Sequence, residues 1–264
     1  MEIIDTHCHL DLAAFEPDRA AVLQQARANG VQAIVVPGVT AAGWDGLRSL
    51  CDSEPDLYPA FGLHPGFLDT HTDDDVERLS NYLADHRPVA VGEIGLDFFI
   101  KDLDRQRQQQ LFEMQLEMAR DAHLPVILHV RKAHDQVLAT LKRIRVPGGI
   151  AHAFNGSLQQ AQQYIELGFK PGFGGMLTYE RSSKLRALAR ELPADAIVLE
   201  TDAPDMVVSQ HRGERNSPAY LPYCLAALAE VRSEPETELA QQTTANARAV
   251  LRLADGGSKE VTHA

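Results

Sequence analysis

The chain has 264 residues and a formal net charge of −12 at pH 7, which argues against the broad basic surface that binds duplex nucleic acid through many phosphates. Hydrophobic residues make up 44% and charged residues 23% of the sequence, as in globular proteins, and no segment approaches the roughly 20 apolar residues that span a bilayer. The length suits one α/β barrel, so we expect a single domain. Because no segment is long and apolar enough to span a bilayer, we expect no membrane association.

The cysteines and the first residues bear on the compartment. Cys8, Cys51 and Cys224 are widely spaced and odd in number, so no disulfide framework is implied, and this pattern suits a reducing environment. The first histidine stands six residues after Met1, which leaves no room before it for a removable signal peptide. We therefore expect a cytoplasmic protein.

Short apolar runs rich in β-branched residues alternate with amphipathic stretches, which is typical of parallel βα units. Strands are predicted at residues 2–5, 33–36, 58–62, 89–93, 126–129, 149–152, 169–173 and 197–200. Helices are predicted between them at residues 19–29, 75–86, 105–122, 132–143, 158–167 and 183–191, and after them at residues 219–231 and 236–253. The pattern predicts an α/β fold, a (β/α)8 TIM barrel forming a single domain over residues 1–254 with an extra C-terminal helix. The polar residues 255–264 are expected to be a disordered tail.

Two histidines follow the first predicted strand. His7 and His9 are one residue apart, so their side chains should point the same way while Cys8 points the opposite way, into the scaffold. Alone this pattern is weak, because a chain with 11 histidines in 264 residues contains roughly 0.5 such triplets by chance. Its weight depends on what the other strand ends carry.

The later strand ends carry further residues able to bind metal. Glu93 ends the fourth predicted strand, His129 the fifth and His152 the sixth, and Asp202 follows the eighth. In a barrel of parallel strands the carboxyl ends form one rim. Each residue alone is more often structural, but the set predicts four imidazoles and two carboxylates at one mouth, a metal site.

The sequence around these positions resembles the TatD-related metal-dependent hydrolases of the amidohydrolase superfamily. The likeness rests on residues 4–11 (Ile-Asp-Thr-His-Cys-His-Leu-Asp), 61–65 (Phe-Gly-Leu-His-Pro), 92–97 (Gly-Glu-Ile-Gly-Leu-Asp), 129–131 (His-Val-Arg), 152–156 (His-Ala-Phe-Asn-Gly) and 200–204 (Glu-Thr-Asp-Ala-Pro). Residues 129–135 and 203–205 look most like the YjjV-type branch. The TIM barrel is also the fold that this resemblance implies.

The resemblance further implies two divalent metal ions. Their ligands would be the residues His7, His9, Glu93, His129, His152 and Asp202. Glu93 would bridge the ions, where many relatives use a carbamylated lysine. Two ions about 4 Å apart can hold a bridging hydroxide for an in-line displacement, with Asp202 as the general base. Mixed imidazole and carboxylate ligation leaves zinc, manganese and magnesium open.

Two further residues are candidates for binding substrate. Arg131 lies two residues beyond His129 and would reach a phosphate or carboxylate with its planar guanidinium; the alternative is a surface ion pair. His64 could donate to a substrate oxygen or only stabilise the turn that follows it. The pair Phe98-Phe99 stands where tyrosine is common in the family, and residues 206–213 replace a proline-rich loop, so substrate preference is left open.

The implied function is metal-dependent hydrolysis of ester bonds by a deoxyribonuclease or phosphodiesterase, acting on nucleic acid or a small phosphoester. Low net basicity favours small or single-stranded substrates over duplex DNA. An ester or amide hydrolase, such as a D-aminoacyl-tRNA deacylase, is the alternative, since the same hydroxide attacks carbonyl carbon. The alternative of another class is a non-catalytic metal-binding barrel. A monomer without an obligate protein partner is expected.

Overall fold

The computed structural model describes residues 1–86 and 88–254. Within this part, eight parallel strands are hydrogen-bonded in chain order, each to the next. They are β1 (Ile3–Asp5), β2 (Val31–Pro37), β3 (Leu57–Phe61), β4 (Ala90–Asp97), β5 (Val126–Arg131), β6 (Gly149–Ala151), β7 (Phe169–Phe173) and β8 (Val198–Leu199). The predicted strand order and number are confirmed.

Helices connect the strands and cover the outside of the barrel. In the described ranges they are α1 (Arg19–Ala28), α2 (Trp44–Ser53), α3 (Asp73–His86), α4 (Arg105–Asp121), α5 (His134–Arg143), α6 (Leu158–Glu166), α7 (Ser183–Glu191), α8 (Leu221–Arg232) and α9 (Glu236–Leu251). Ser157 caps α6 in a capping box with Gln160, as an N-cap serine should. The fold is the predicted (β/α)8 TIM barrel.

The barrel closes where β1 meets β8. The amide of Thr6 donates to the carbonyl of Leu199 at 3.0 Å, and the amide of Asp202 donates to the carbonyl of His7 at 2.8 Å. Cys8 forms a parallel bridge with Ala203 just beyond the strands. These backbone contacts bring the first and last candidate ligands together, although they are almost 200 residues apart in the chain.

The apolar side chains form two layers. One cluster includes Ile4, Val35 and Ile150 from the strands and Leu251 from α9. The helix α9 also contacts the start of the first strand, because the hydroxyl of Thr244 donates to the carbonyl of Glu2. The larger cluster joins the other strand faces to the surrounding helices. The C-terminal helix therefore packs at the amino end of the barrel and leaves the carboxyl end open.

The prediction ended the fourth strand too early. It placed Glu93 at the strand end, whereas β4 runs on to Asp97 with every residue buried. A glycine normally weakens a strand, but Gly95 has φ +145° and a Cβ there would lie 2.0 Å from the carbonyl oxygen of His129. The glycine lets β4 and β5 approach closely, so it extends the pairing instead of ending it.

The predicted (β/α)8 pattern includes a helix between β2 and β3, but no bounds were predicted for this helix, α2. Gly46 lies in its first turn, and glycine lowers helix propensity, so the local signal is weak. Packing compensates, because Trp44, Leu47 and Cys51 are buried on one face of the helix. The start of α5 also differs, because it begins at His134 and not at residue 132.

Among residues 1–86 and 88–254, no helix combines the length and the apolar character needed to cross a membrane. The expected tail at residues 255–264 lies outside the described residues. The cytoplasmic location and the monomeric state remain predictions.

Candidate metal centre

A cavity of about 1040 Å³ opens at the carboxyl end of the barrel. Its wall includes His9, Glu93, His129, His152 and Asp202, and His7 lies buried directly behind them, with its ring stacked on His152 at 3.8 Å between centroids. The six candidate ligands, which lie on five different segments of the chain, are thus brought together at one mouth.

Glu93 lies at the middle of this cluster because its two oxygens face different candidate ligands, and Oε1 also faces His64. Its Oε2 is 3.1 Å from His7 Nε2 and 3.4 Å from His9 Nε2. Its Oε1 is 2.9 Å from His129 Nδ1 and 3.3 Å from His152 Nε2. The pairing register of β4 shifts between Val91 and Ile94, and such a bulge turns a side chain out of the regular alternation.

Asp202 lies next to His7 and His9, the two histidines that follow the first strand. Its Oδ1 lies 3.6 Å from His7 Nε2 and 3.7 Å from His9 Nε2. Its side chain is 16% exposed, compared with 2% for Glu93, so Asp202 faces the open cavity. An ion bound between these groups would have both carboxylates within reach.

Two histidines have their outer ring nitrogen next to an acceptor. His9 Nδ1 lies 3.2 Å from the carbonyl oxygen of Pro37, so in the neutral ring the proton belongs on Nδ1 and Nε2 has a lone pair. His152 Nδ1 faces Glu200 Oε1 at 3.5 Å, which favours the same arrangement. In both rings Nε2 is the nitrogen directed at Glu93.

His129 and His64 differ in the nitrogen that they present. His129 Nε2 lies 3.0 Å from Asp97 Oδ2, so its proton belongs there and its Nδ1 lone pair faces Glu93. The amide of Gly66 instead donates to His64 Nδ1 at 2.9 Å, which leaves the proton on Nε2, 3.2 Å from Glu93 Oε1. His129 therefore presents an acceptor to the centre, whereas His64 presents a donor.

The charges of the centre follow from burial and close contact. Burial opposes the charge of Glu93, but the surrounding histidines hold the pKa of Glu93 well below its usual value. Burial lowers the pKa of His7 well below its usual value, and His152 acts in the same direction. Burial raises the pKa of Asp202 to about 6, against the opposing effect of His152 and His9. Glu93 is thus ionised beside a neutral imidazole.

The same carboxylates act on two other rings. Burial opposes protonation of His9, yet the hydrogen bond and charge of Glu93 raise its pKa to about 9. For His152, burial is outweighed by Glu93, Asp202 and Glu200, which raise its pKa well above the usual value. A site that attracts protons this strongly also attracts metal cations, because the negative charge acts on both.

The donor set fits divalent cations. Several lone pairs converge on an ionised carboxylate, and His7 Nε2 lies only 3.2 Å from His9 Nε2, an arrangement that needs a cation or shared proton between the two nitrogens. Three groups among the described residues could each hold an ion: His7, Glu93 and His152; His7, His9 and Asp202; His64, Glu93 and His129. In the third group, the tautomer of His64 argues against His64 as a ligand.

Two residues of the centre had no predicted role, Asp97 and Glu200. Both are buried and face a candidate ligand from its outer side. At Gly172 a Cβ would lie 2.3 Å from Glu200 Oε2, so only glycine leaves room for this carboxylate. Asp97 lies four residues after Glu93, and Glu200 lies two residues before Asp202. This even spacing from a candidate ligand was the signal in the sequence that could have indicated their roles.

The predicted substrate residues are at the same mouth. His64 and Arg131 both line the cavity. The guanidinium of Arg131 lies over the ring of Phe99, 3.8 Å from its centroid, and makes no surface ion pair among the described residues. His134 lies instead between Tyr164 and Asn155, and Cys8 is buried among apolar side chains of the core.

The fold and the site together define a barrel hydrolase of the metal-dependent type, and comparison with known proteins gives its family. The model of the TatD-related DNases matches residues 4–252. The metal-dependent hydrolase YjjV of Escherichia coli K12, named as uncharacterized, is 46% identical over 242 residues, which are 90% of this chain and 93% of YjjV. The crystal structure of YjjV superposes with a TM-score of 0.92 at 42% identity, over 96% of this chain and 98% of that one.

A relative with a named activity is also similar. The 3'-5' ssDNA/RNA exonuclease TatD of Pectobacterium carotovorum is 33% identical over 260 residues, which are 96% of this chain and the whole of that protein. The chain belongs to the TatD family of metal-dependent hydrolases.

Proposed function

We propose that this hydrolase cleaves phosphodiester bonds of single-stranded nucleic acid at a centre of two divalent cations. The observation that carries the proposal is the position of Glu93, whose two oxygens face two separate histidine pairs at 2.9 to 3.4 Å. A carboxylate so placed can bridge two ions. The exonuclease named among the relatives supports nucleic acid as the substrate class.

His7, His9 and Asp202 would hold one cation and His129 and His152 the other, with Glu93 shared between them. Bound there, divalent cations would supply charge to the phosphoryl oxygens and acidify the attacking water. The imidazole-rich set favours zinc or manganese, and magnesium would need more water in its shell.

The side chains divide the remaining work. Asp202 faces the open cavity with a pKa of about 6, so near neutral pH it is ionised and can accept the proton of the attacking water. His64 has its proton on Nε2 and can donate it in a hydrogen bond to a phosphoryl oxygen. Arg131 presents guanidinium N–H groups at the rim, where they can bind a neighbouring phosphate.

The test compares three substrates in parallel: a single-stranded oligonucleotide, a small phosphodiester reporter and a D-aminoacyl-tRNA. We expect metal-dependent cleavage of the oligonucleotide and the reporter. Substituting His7→Ala together with His9→Ala should abolish turnover with the fold intact, because one cation loses two ligands. The exposed His86→Ala is the matched control and should leave turnover unchanged.

Each other outcome contradicts the proposal. Activity on the aminoacyl-tRNA alone would assign the centre to ester hydrolysis at carbonyl carbon. Metal binding without turnover of any of the three substrates would favour a non-catalytic barrel. Unchanged turnover in the double histidine variant would exclude the first cation from the reaction.

A further inference from the structure

Exposed apolar side chains are few in the described part of the chain, and two of them lie beside the mouth. The large ones that are exposed there are Met1, Phe67, Phe99, Met114 and Tyr223. Phe67 is 45% and Phe99 is 53% exposed. Phe67 lines the cavity, and Phe99 lies under Arg131, which also lines it. Large apolar groups held in water at a binding site point to a ligand that covers them.

Phe67 contacts His64, which lines the mouth of the cavity. Its amide donates to the carbonyl of His64 at 3.1 Å, and the two rings meet edge to face with centroids 5.7 Å apart. Because His64 Nε2 reaches Glu93 at 3.2 Å, the exposed ring of Phe67 is one side chain away from the proposed bridging carboxylate.

Phe99 is hydrogen-bonded to Asp97, which also lines the mouth of the cavity. The Oδ1 of Asp97 accepts from the amide of Phe99 at 2.9 Å, and the Oδ2 of the same carboxylate lies 3.0 Å from His129 Nε2. The ring of Phe99 supports the Arg131 guanidinium at 3.8 Å. One carboxylate thus orients both a candidate metal ligand and the aromatic residue beside it.

The loops that carry the two phenylalanines pack against each other. A Cβ added at Gly66, next to Phe67, would lie 3.9 Å from Ile100 Cδ1, next to Phe99. The loops after β3 and β4 are therefore neighbours at the rim, and Arg131 from the end of β5 lies over Phe99.

We propose that Phe67 and the layered pair of Phe99 and Arg131 form a stacking subsite for the bases of a single-stranded nucleic acid whose phosphate lies at the metal centre. This inference rests on the proposed function. Aromatic rings and guanidinium planes stack on any base and so bind without sequence preference. The face of the Arg131 guanidinium stacks while its edge stays available to a phosphate.

The charge of the chain favours this kind of recognition. At a net charge of −12, attraction for a phosphate backbone is weak away from the mouth, so affinity must come from another source. Stacking supplies it, and only unpaired bases can use it because the bases of a duplex already stack on one another. The subsite accordingly selects single strands.

The test measures binding separately from cleavage. The Asp202→Asn protein is titrated with a fluorescent single-stranded oligonucleotide, with the same strand carrying abasic positions, and with the duplex. We expect the strand with bases to bind about tenfold more tightly than the abasic strand. Phe67→Leu and Phe99→Leu, which keep the apolar volume without the aromatic face, should each lose most of this ratio.

Matched variants complete the design. Phe67→Tyr and Phe99→Tyr should keep the ratio, and the remote exposed Met114→Ala should not change it. An equal preference for bases in the parent and both leucine variants, or no preference in the parent, would overturn the subsite. Failure of the wild-type protein to cleave any phosphodiester would contradict the proposed function. The ratio of the affinities for the strand with bases and the abasic strand would still test the subsite separately.

Discussion

The imidazoles of the centre are oriented by their outer contacts. His129 shows this most clearly, since Asp97 holds its Nε2 at 3.0 Å and leaves Nδ1 for the centre. Asp97 is itself fixed by the amides of Phe99 and Ile100. A carboxylate that holds a ligand histidine in this way fixes its tautomer and raises its basicity.

Replacing this carboxylate gives a prediction at the residue scale. In Asp97→Asn the side chain loses its negative charge and faces His129 with either its amide oxygen or its NH₂ group, and we expect metal affinity to fall about 10- to 100-fold. Isothermal titration of the metal-free protein with zinc or manganese measures the change. The exposed neighbour Asp102→Asn is the control, and equal affinities in the two variants would remove Asp97 from the centre.

The residue scale also marks the limit of prediction from this sequence. His7, His9, His129 and His152 are recognisable because imidazoles at strand ends are an unusual pattern. The role of Asp97 was not predicted because the fourth strand was predicted to end at Glu93. The role of Glu200 was not predicted because its position depends on how closely Gly172 lets this carboxylate approach β7. Such contacts depend on tertiary packing, which local sequence does not encode.

At the scale of elements, β1 and β8 are joined by a buried carboxyl group. Asp5 accepts hydrogen bonds from the hydroxyl of Thr201 at 2.6 Å and from its amide at 2.9 Å. Burial, opposed by these hydrogen bonds, raises the pKa of Asp5 from 3.8 to about 7. The group that fastens the barrel closure is therefore more easily protonated in the folded than in the unfolded chain.

This shift predicts how stability depends on pH. Between about pH 4 and 7 the folded chain holds a proton at Asp5 that the unfolded chain has lost, so its contribution is present at low pH and decreases as pH rises. Relative to Asp5→Asn, the metal-free wild type should lose on the order of 1 kcal/mol of unfolding free energy per pH unit in this window. Urea unfolding at several pH values measures it, and parallel curves for the two proteins would contradict it.

Elements were predicted well where their pattern is strong. The strands combine short buried apolar runs with clear breaks, so all eight were predicted, with errors of at most four residues at their ends. The bounds of α2 were not predicted because its stability comes from burying Trp44 and Leu47 more than from local propensity. Tertiary packing overrides weak local signals in this way.

At the scale of the whole molecule, the two ends of the barrel have different roles. The helix α9 packs at the amino end, whereas the carboxyl end holds the cavity, the candidate metal ligands and the exposed rings of Phe67 and Phe99. The barrel brings together residues that are far apart in the chain, so its architecture, once predicted, already predicts that the candidate ligands meet.

The most direct test of the two-cation centre is the metal content of the purified chain measured together with its phosphodiesterase activity. We expect two equivalents of divalent metal per chain at full activity, loss of turnover when both are removed by chelation, and recovery when both are restored. Full turnover by the metal-free protein, or full turnover with a single equivalent, would contradict the assignment of Glu93 as the bridge between two ions.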